Sequence, residues 1–213
     1  MSKFYLPNGV EIAKDDFLDY YSNSYWIYND PKIDNYVLNL RSRNKNEWKT
    51  DDVFVALAWK MGCIKGWNNE LVFFNGWDRE QHTVWRDRKK YYSKIDFDDI
   101  LHKCQKADGN LGSYLSKLKD VKGIGPIYAV TLRYFMEPLS DKNLIYDQFV
   151  QRGIDAIIKG IEPRTRIQYR EPAFNNVEGL YADYEKCIKL EFEDIFYTRE
   201  VDQALWVYGH LFK

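Results

Sequence analysis

The sequence is poor in the residues that form disulfides or bind metals. Its 213 residues include three cysteines and three histidines. Cys63, Cys104 and Cys187 lie far apart in the chain, and no C-x-x-C pair occurs. This pattern excludes a disulfide framework, and it cannot supply four thiolates to a zinc site or an iron–sulfur cluster. Three scattered thiols fit a reducing compartment.

Long hydrophobic runs are missing as well. The longest run is "VFVALAW" at residues 53–59, which is far too short to span a bilayer. The first residues, "MSKFYLPNGVEIAKDD", lack the apolar core of a signal peptide. We therefore expect a protein without membrane association, located in the cytoplasm, and with the nucleoid if its host is bacterial.

Neither sign of charge is in excess. The chain has 31 basic and 32 acidic residues, and its net charge of −1 argues against a protein that is basic over its whole surface. Local biases remain. Residues 85–94, "WRDRKKYYSK", are basic with interleaved aromatic residues, Arg164, Arg166 and Arg170 form a second basic stretch, and residues 182–194 are acidic. Each bias predicts either a binding face or merely a solvated surface.

Several catalytic signatures are also absent. The sequence contains no H-E-x-x-H, no G-x-x-x-x-G-K-[ST] and no G-x-S-x-G. Its histidines are isolated from one another. His210, in "VYGHLF", is expected to be a core residue with satisfied hydrogen bonds.

Helical patterns dominate the chain, which is 45% hydrophobic and can therefore form a sizeable core. We predict a mainly α fold, a two-lobed helical bundle with one short β-hairpin near residues 70–77, and treat residues 1–213 as a single domain. Predicted helices cover residues 50–61, 96–105, 111–119, 148–159, 176–195 and 199–212, and another begins at Pro126. In the helix at 148–159, Val150, Ile154, Ile157 and Ile158 are expected to form the buried face.

The segment "VKGIGP" at residues 121–126 joins two of these helices through a Gly-Ile-Gly-Pro turn. Glycine adopts backbone angles that other residues avoid, so the amides of Gly123 and Gly125 can turn outward. The following helix starts at Pro126 and adds unpaired N–H donors. Together they would form a small anion site suited to a phosphate. The alternative is a tight turn that serves only helix packing.

Asp147, in "IYDQFVQRGI", directly precedes the amphipathic helix at 148–159. An aspartate at this place is often only an N-cap. A carboxylate held rigidly at a helix start can also act on a ligand. Its position 22 residues after Gly125 favours the functional interpretation.

These two features together resemble the helix-hairpin-helix–Gly/Pro–Asp superfamily of base-excision DNA glycosylases, in which a hairpin is followed about twenty residues later by a catalytic aspartate. The matching residues span 111–158, roughly a quarter of the chain. The resemblance extends, within that superfamily, to 8-oxoguanine glycosylase-like members.

The resemblance implies a reaction, a partner and a set of site residues. The reaction is hydrolysis of the N-glycosidic bond of a damaged or modified base flipped out of duplex DNA, and the expected state is a monomer. Asp147 would be the catalytic residue. DNA-binding residues would be Lys119, Lys122, Gly123, Ile124, Gly125 and Pro126.

One departure from the family concerns lyase activity. Bifunctional members carry a lysine two residues after the second glycine, where this chain has Ile127. Isoleucine cannot form a Schiff base, so a monofunctional glycosylase is expected unless another lysine takes over. No cofactor is expected, although a monovalent cation at the hairpin carbonyls is compatible with the family. Two rivals stay open: a helix-hairpin-helix module that binds DNA without catalysis, and a helical protein unrelated to DNA.

Overall fold

The structure is a computed structural model that describes residues 2–60, 95–137 and 144–212 with their side chains, and the backbone of 64–67, 70–75 and 78–84. The described part is mainly helical, which confirms the predicted class. Its α-helices are α1 (Lys14–Tyr28), α2 (Pro31–Arg41), α3 (Thr50–Lys60), α4 (Phe97–Gln105), α5 (Leu111–Leu118), α6 (Pro126–Met136), α7 (Gln148–Lys159), α8 (Val177–Phe192) and α9 (Arg199–Gly209). None of the helices described here is long and apolar enough to cross a membrane.

Short strands form two antiparallel sheets. β1 (Phe4–Tyr5) pairs with β2 (Glu11–Ile12), while β3 (Ile64–Trp67), β4 (Glu70–Asn75) and β5 (Asp78–Val84) follow one another in a three-stranded meander. The hairpin predicted near residues 70–77 is therefore present as β4 and β5, and a second small sheet accompanies it.

The chain divides into two compact units. The terminal unit comprises residues 1–29 and 142–213, and the central unit comprises residues 30–141. The central unit is built around α3, whose residues from Val53 to Ala58 are all buried. It also contains α4, where Asp96 is the N-cap and accepts a hydrogen bond from the Asp99 amide at 2.9 Å.

Two helices escape sequence prediction. α1 buries Phe17, Leu18, Tyr21 and Tyr25 but leaves other aromatic residues exposed, so its hydrophobic periodicity is weak. α2 carries a readable start signal, because Asp30 caps the Lys32 amide and Pro31 occupies the first helical position.

Helix α7 lies in the terminal unit and packs against α9. Val150, Ile154 and Ile157 are buried as predicted. Ile158, however, is 38% exposed, so its assignment to the buried face is wrong. One residue of an α-helix turns the side chain by about 100°, which carries position 158 past the edge of the contact.

Two glycines allow α7 and α9 to approach closely. A Cβ on Gly153 would lie 2.6 Å from the carbonyl oxygen of Leu205, and a Cβ on Gly209 would overlap the backbone of Phe149. Backbone atoms of the two helices therefore touch where these residues lack side chains. This contact fixes the first turn of α7, immediately after Asp147.

We predict that Gly209→Ala destabilises the protein by about 2 kcal/mol or more, because the added methyl group must displace backbone rather than a flexible side chain. Gly179→Ala is the matched control, since Gly179 lies in α8 and a Cβ added there would have no atom within 4 Å. This control should be neutral or slightly stabilising. Urea unfolding of both variants checks the difference, and equal midpoints would contradict the proposed helix contact.

Candidate functional site

Asp147 forms the N-cap of α7. Its carboxylate accepts a hydrogen bond from the amide of Phe149 at 2.7 Å, and the side chain is half-buried. This bond involves one of the two carboxylate oxygens. The geometry matches both interpretations of the sequence, because a cap and a rigidly held catalytic carboxylate need the same anchoring.

The segment before Asp147 is held by tyrosines of α8. The hydroxyl of Tyr181 contacts both the amide and the carbonyl of Leu144, at 2.9 and 3.1 Å, and the hydroxyl of Tyr184 donates to the carbonyl of Ile145 at 2.7 Å. Tyr146 is buried against the Tyr184 ring. These contacts restrict the backbone of residues 144–146 and therefore the position of Asp147.

A cavity of about 500 Å³ opens beside the start of α7. It is lined by Phe149, Arg152, Arg166, Ile167, Gln168 and Tyr169. Its volume falls within the range of small-ligand sites. Cationic, aromatic and amide side chains of the described part of the chain therefore line one cavity.

Tyr169 lines the cavity and interacts electrostatically with Asp147. Burial raises the pKa of Tyr169, and the negative charges of neighbouring groups, Glu171 and Asp147 among them, raise it further, while Arg152 opposes the shift. The phenol therefore stays protonated at neutral pH and can donate a hydrogen bond. Phe149, whose amide donates to the Asp147 carboxylate, lines the same cavity as Tyr169.

Two aromatic rings also lie close to Phe149. The Phe149 and His210 rings stack with centroids 3.6 Å apart, and Trp206 lies 4.1 Å from His210. The His210 Nδ1 atom is 2.7 Å from the Trp206 carbonyl oxygen. His210 thus has hydrogen-bonding and stacking partners as predicted, but it is half-buried rather than a core residue.

The predicted hairpin lies in the central unit, as α5, a turn and α6. Gly123 has a φ of +84°, a conformation that favours glycine, whereas Gly125 has a φ of −88° and is extended. Only Gly123 therefore needs glycine for its backbone angles, which corrects the expectation that both glycines do. Among the described residues, the amides of Gly123, Gly125 and Ile127 have no acceptor.

The side chains of the hairpin divide into two groups. Lys119 and Lys122 are exposed beside the turn, as a phosphate site requires. Ile124 and Pro126 are buried, so they can offer a ligand only their main chain. Ile124 joins Val121 and Leu118 in the interior and anchors the turn.

Buried polar contacts brace the two helices of the hairpin. The hydroxyl of Tyr114 in α5 donates to the carboxylate of Glu137 at the end of α6, at 2.6 Å, and Lys45 pairs with the same carboxylate at 3.2 Å. Arg133 donates to the carbonyl of Gly109 at 2.9 Å. The turn is thus presented by a rigid pair of helices.

The site residues named from the sequence fall in both units. The six hairpin residues lie in the central unit and Asp147 lies in the terminal unit. The basic segment 85–94 lies outside the described residues. Sequence reasoning missed Arg152 and Tyr169 as cavity residues, and it gave Tyr181 and Tyr184 no role beyond their place in the helix predicted at 176–195. The two tyrosine hydroxyls, three residues apart on one helix, were the signal in the sequence that this face also forms hydrogen bonds.

Comparisons with protein-family models, curated proteins and solved structures found no match. In the described ranges, no group of three or more His, Cys, Asp or Glu residues could hold a metal ion. The chemistry of the site must therefore be argued from its own residues.

We predict that Gly123→Ala destabilises the central unit by about 1–2 kcal/mol, because an L-residue is strained at this φ. The added Cβ would also lie 3.1 Å from Ile95. Gly9→Ala is a control for backbone strain alone, since Gly9 has a φ of +86° and open space around it. Chemical unfolding should show the larger loss for Gly123→Ala, and an unchanged stability would contradict the strained turn.

Proposed function

We propose that the protein is a monofunctional DNA glycosylase that hydrolyses the N-glycosidic bond of a damaged or modified base flipped out of duplex DNA. The observation that carries the proposal is the anchoring of Asp147. Its carboxylate is fixed at the start of α7 by a 2.7 Å hydrogen bond from the amide of Phe149, a residue that lines the cavity. The resemblance of "VKGIGP" and "IYDQFVQRGI" to base-excision glycosylases supplies the reaction class.

The chemistry required of Asp147 is electrostatic. A base within a duplex is stacked and inaccessible, so its nucleotide must first be extruded. As the base leaves, the deoxyribose gains positive charge of oxocarbenium type. A fixed carboxylate stabilises that charge and orients a water molecule. The water oxygen bonds to the sugar carbon, its proton passes to the carboxylate, and the departing base takes the electron pair of the broken bond.

Rigid placement is the physical requirement of this mechanism. A carboxylate that must reorganise during the reaction loses part of its stabilising effect. Here the chain before Asp147 is held by Tyr181 and Tyr184, and the chain after it by the close contact of α7 with α9. These contacts support a catalytic carboxylate with a defined position.

The hairpin is assigned to the DNA backbone. The amides of Gly123 and Gly125 and the exposed ammonium groups of Lys119 and Lys122 suit a phosphate oxygen. Such contacts carry no sequence information, so they would hold the duplex irrespective of the target base. A monovalent cation bound by the hairpin carbonyls is compatible with this role.

A second candidate function is a helix-hairpin-helix module that binds DNA without catalysis. The cap hydrogen bond of Asp147 favours it, because a structural cap explains that carboxylate without any reaction. The two candidate functions predict different results when the negative charge of Asp147 is removed. A glycosylase loses base release, whereas a binding module has no reaction to lose.

We predict that Asp147→Asn lowers the rate of base release by roughly 1,000-fold or more and leaves DNA affinity unchanged, because it removes the negative charge. Asparagine caps a helix as well as aspartate does, so stability should stay within about 0.5 kcal/mol of the original protein. The substrate is found first by incubating the protein with oligonucleotides that carry uracil, 8-oxoguanine, alkylated purines or modified cytosines, followed by mass spectrometry of the released bases.

Asp147→Ala is the matched control for the cap. It should lose about 1 kcal/mol of stability in addition to the activity. Base release by Asp147→Asn at the original rate would contradict the mechanism. No release from any oligonucleotide, combined with DNA binding by the original protein, would favour the binding module.

We also predict that Lys122→Glu combined with Gly125→Ala weakens binding to every duplex sequence alike, because the hairpin binds phosphates. The dependence of log affinity on log salt should become shallower by about 0.9 for each phosphate that the variant no longer neutralises. Lys186→Glu, which reverses an exposed charge on α8, is the control and should leave both quantities unchanged. An unchanged salt dependence in the hairpin variant would remove the hairpin from the interface.

A further inference from the structure

The basic stretch at residues 164–170 has no role in the proposed mechanism. It contains Arg164, Arg166 and Arg170 and no acidic residue. Backbone hydrogen bonds attach it to the end of the chain, since the amide of Arg164 donates to the carbonyl of Leu211 at 3.2 Å. The amide of Ile167 donates to the carbonyl of Phe212 at 3.1 Å. The backbone of the segment is therefore held in a defined place.

Helix α7 adds a further cation, Arg152, beside this segment. The Nε atom of Arg152 donates to the carbonyl oxygen of Ile167 at 3.1 Å, which leaves the two terminal nitrogens of the guanidinium for another acceptor. Arg166 lines the same cavity. In the part of the chain that the structure describes, neither arginine forms an ion pair with a carboxylate. Two guanidinium groups at one cavity, neither of them in a close ion pair, are suited to bidentate binding of an oxyanion.

The remaining lining suits a ligand larger than a free ion. The cavity of about 500 Å³ also exposes the amide of Gln168 and the rings of Phe149 and Tyr169. Gln168 can donate a hydrogen bond, and burial raises the pKa of Tyr169, which keeps its hydroxyl a donor. Donors and cations therefore surround a volume that accommodates a phosphate group together with its attached sugar.

The position of the cavity relative to Asp147 indicates which oxyanion it receives. Arg152 follows Asp147 by five residues in α7, which corresponds to about 7.5 Å along the helix axis. If a deoxyribose lies against Asp147, the phosphate attached to that sugar or to its neighbour lies within reach of Arg152. This adjacency favours a nucleic-acid phosphate over the carboxylate of an acidic peptide.

We propose that the cavity beside α7 binds a phosphodiester group of the target DNA strand, held by Arg152 and Arg166, as a second phosphate site in addition to the hairpin. The proposal rests on the proposed function, because Asp147 defines where the target nucleotide lies. It names the part of the substrate that this cavity recognises. The strand is thereby fixed next to the nucleotide whose base is removed.

The test is DNA binding by the full chain, followed by fluorescence anisotropy. The probe is a short fluorescein-labelled duplex that contains one tetrahydrofuran abasic analogue, which offers the backbone of a target nucleotide without a base to release. Arg166→Gln is the main variant, since Arg166 is exposed and its replacement should not disturb folding. Arg152→Lys is the second variant, because it keeps the positive charge and removes the planar fork.

Arg166→Gln should weaken binding roughly tenfold, and the double variant Arg152→Gln/Arg166→Gln should make the salt dependence shallower by about 0.9. Arg152→Lys should also weaken binding, because an ammonium cannot donate bidentately. Lys186→Gln removes one exposed charge elsewhere in the terminal unit and should leave affinity and salt dependence unchanged.

The outcomes separate this proposal from the proposed function. If Asp147→Asn abolishes base release while both arginine variants bind DNA as the original protein does, the cavity proposal is overturned and the glycosylase activity stands. If no base is released but the arginine variants bind weakly with a shallower salt dependence, the phosphate site stands without the reaction. Stabilisation by a free deoxynucleoside monophosphate, with unchanged DNA binding in the variants, would assign the cavity to a small nucleotide and overturn the strand proposal.

Discussion

The hydrogen bond between the Asp147 carboxylate and the Phe149 amide is the interaction on which the candidate site depends. The proposed mechanism makes two demands on this carboxylate that usually conflict. The ionised group must be held in place, and it must also remain close to a ligand. The helix start resolves the conflict by offering amide donors and the positive end of the helix dipole. Tyr181 and Tyr184 extend this constraint backwards along the chain, through backbone groups of Leu144 and Ile145.

The backbone contacts at Gly153 and Gly209 and the buried contacts of Glu137 each hold a pair of helices in place, but they do so by different physical means. α7 and α9 are positioned by the absence of side chains at Gly153 and Gly209, which allows backbones to touch. The hairpin helices are instead positioned by a buried carboxylate, Glu137, which binds Tyr114 and Lys45. Removing one partner from such a buried group costs more than the contact itself contributes, because the remaining charge stays desolvated.

Much of the fold could be predicted from the sequence, because the relevant signals are local. Asp96 and Asp147 indicate helix starts, and Pro126 suits a first helical position. Val150, Ile154 and Ile157 repeat with the period of a buried helix face. α1 was missed because its aromatic residues point both inward and outward. Ile158 was misassigned because periodicity alone does not locate the edge of a contact. The cavity was not predictable, since Arg152 and Arg166 come to line it only through the hydrogen bonds of an irregular segment.

The terminal unit is discontinuous in sequence, and this has a consequence for synthesis. Residues 1–29 are synthesised before α9, against which α1 packs. The central unit is complete before residue 142 is added, so it can fold while α1 still exposes Phe17 and Tyr21. Chains interrupted before α9 would present these aromatic side chains to chaperones and proteases. Only a chain translated through α9 can therefore enclose the aspartate segment within a folded unit.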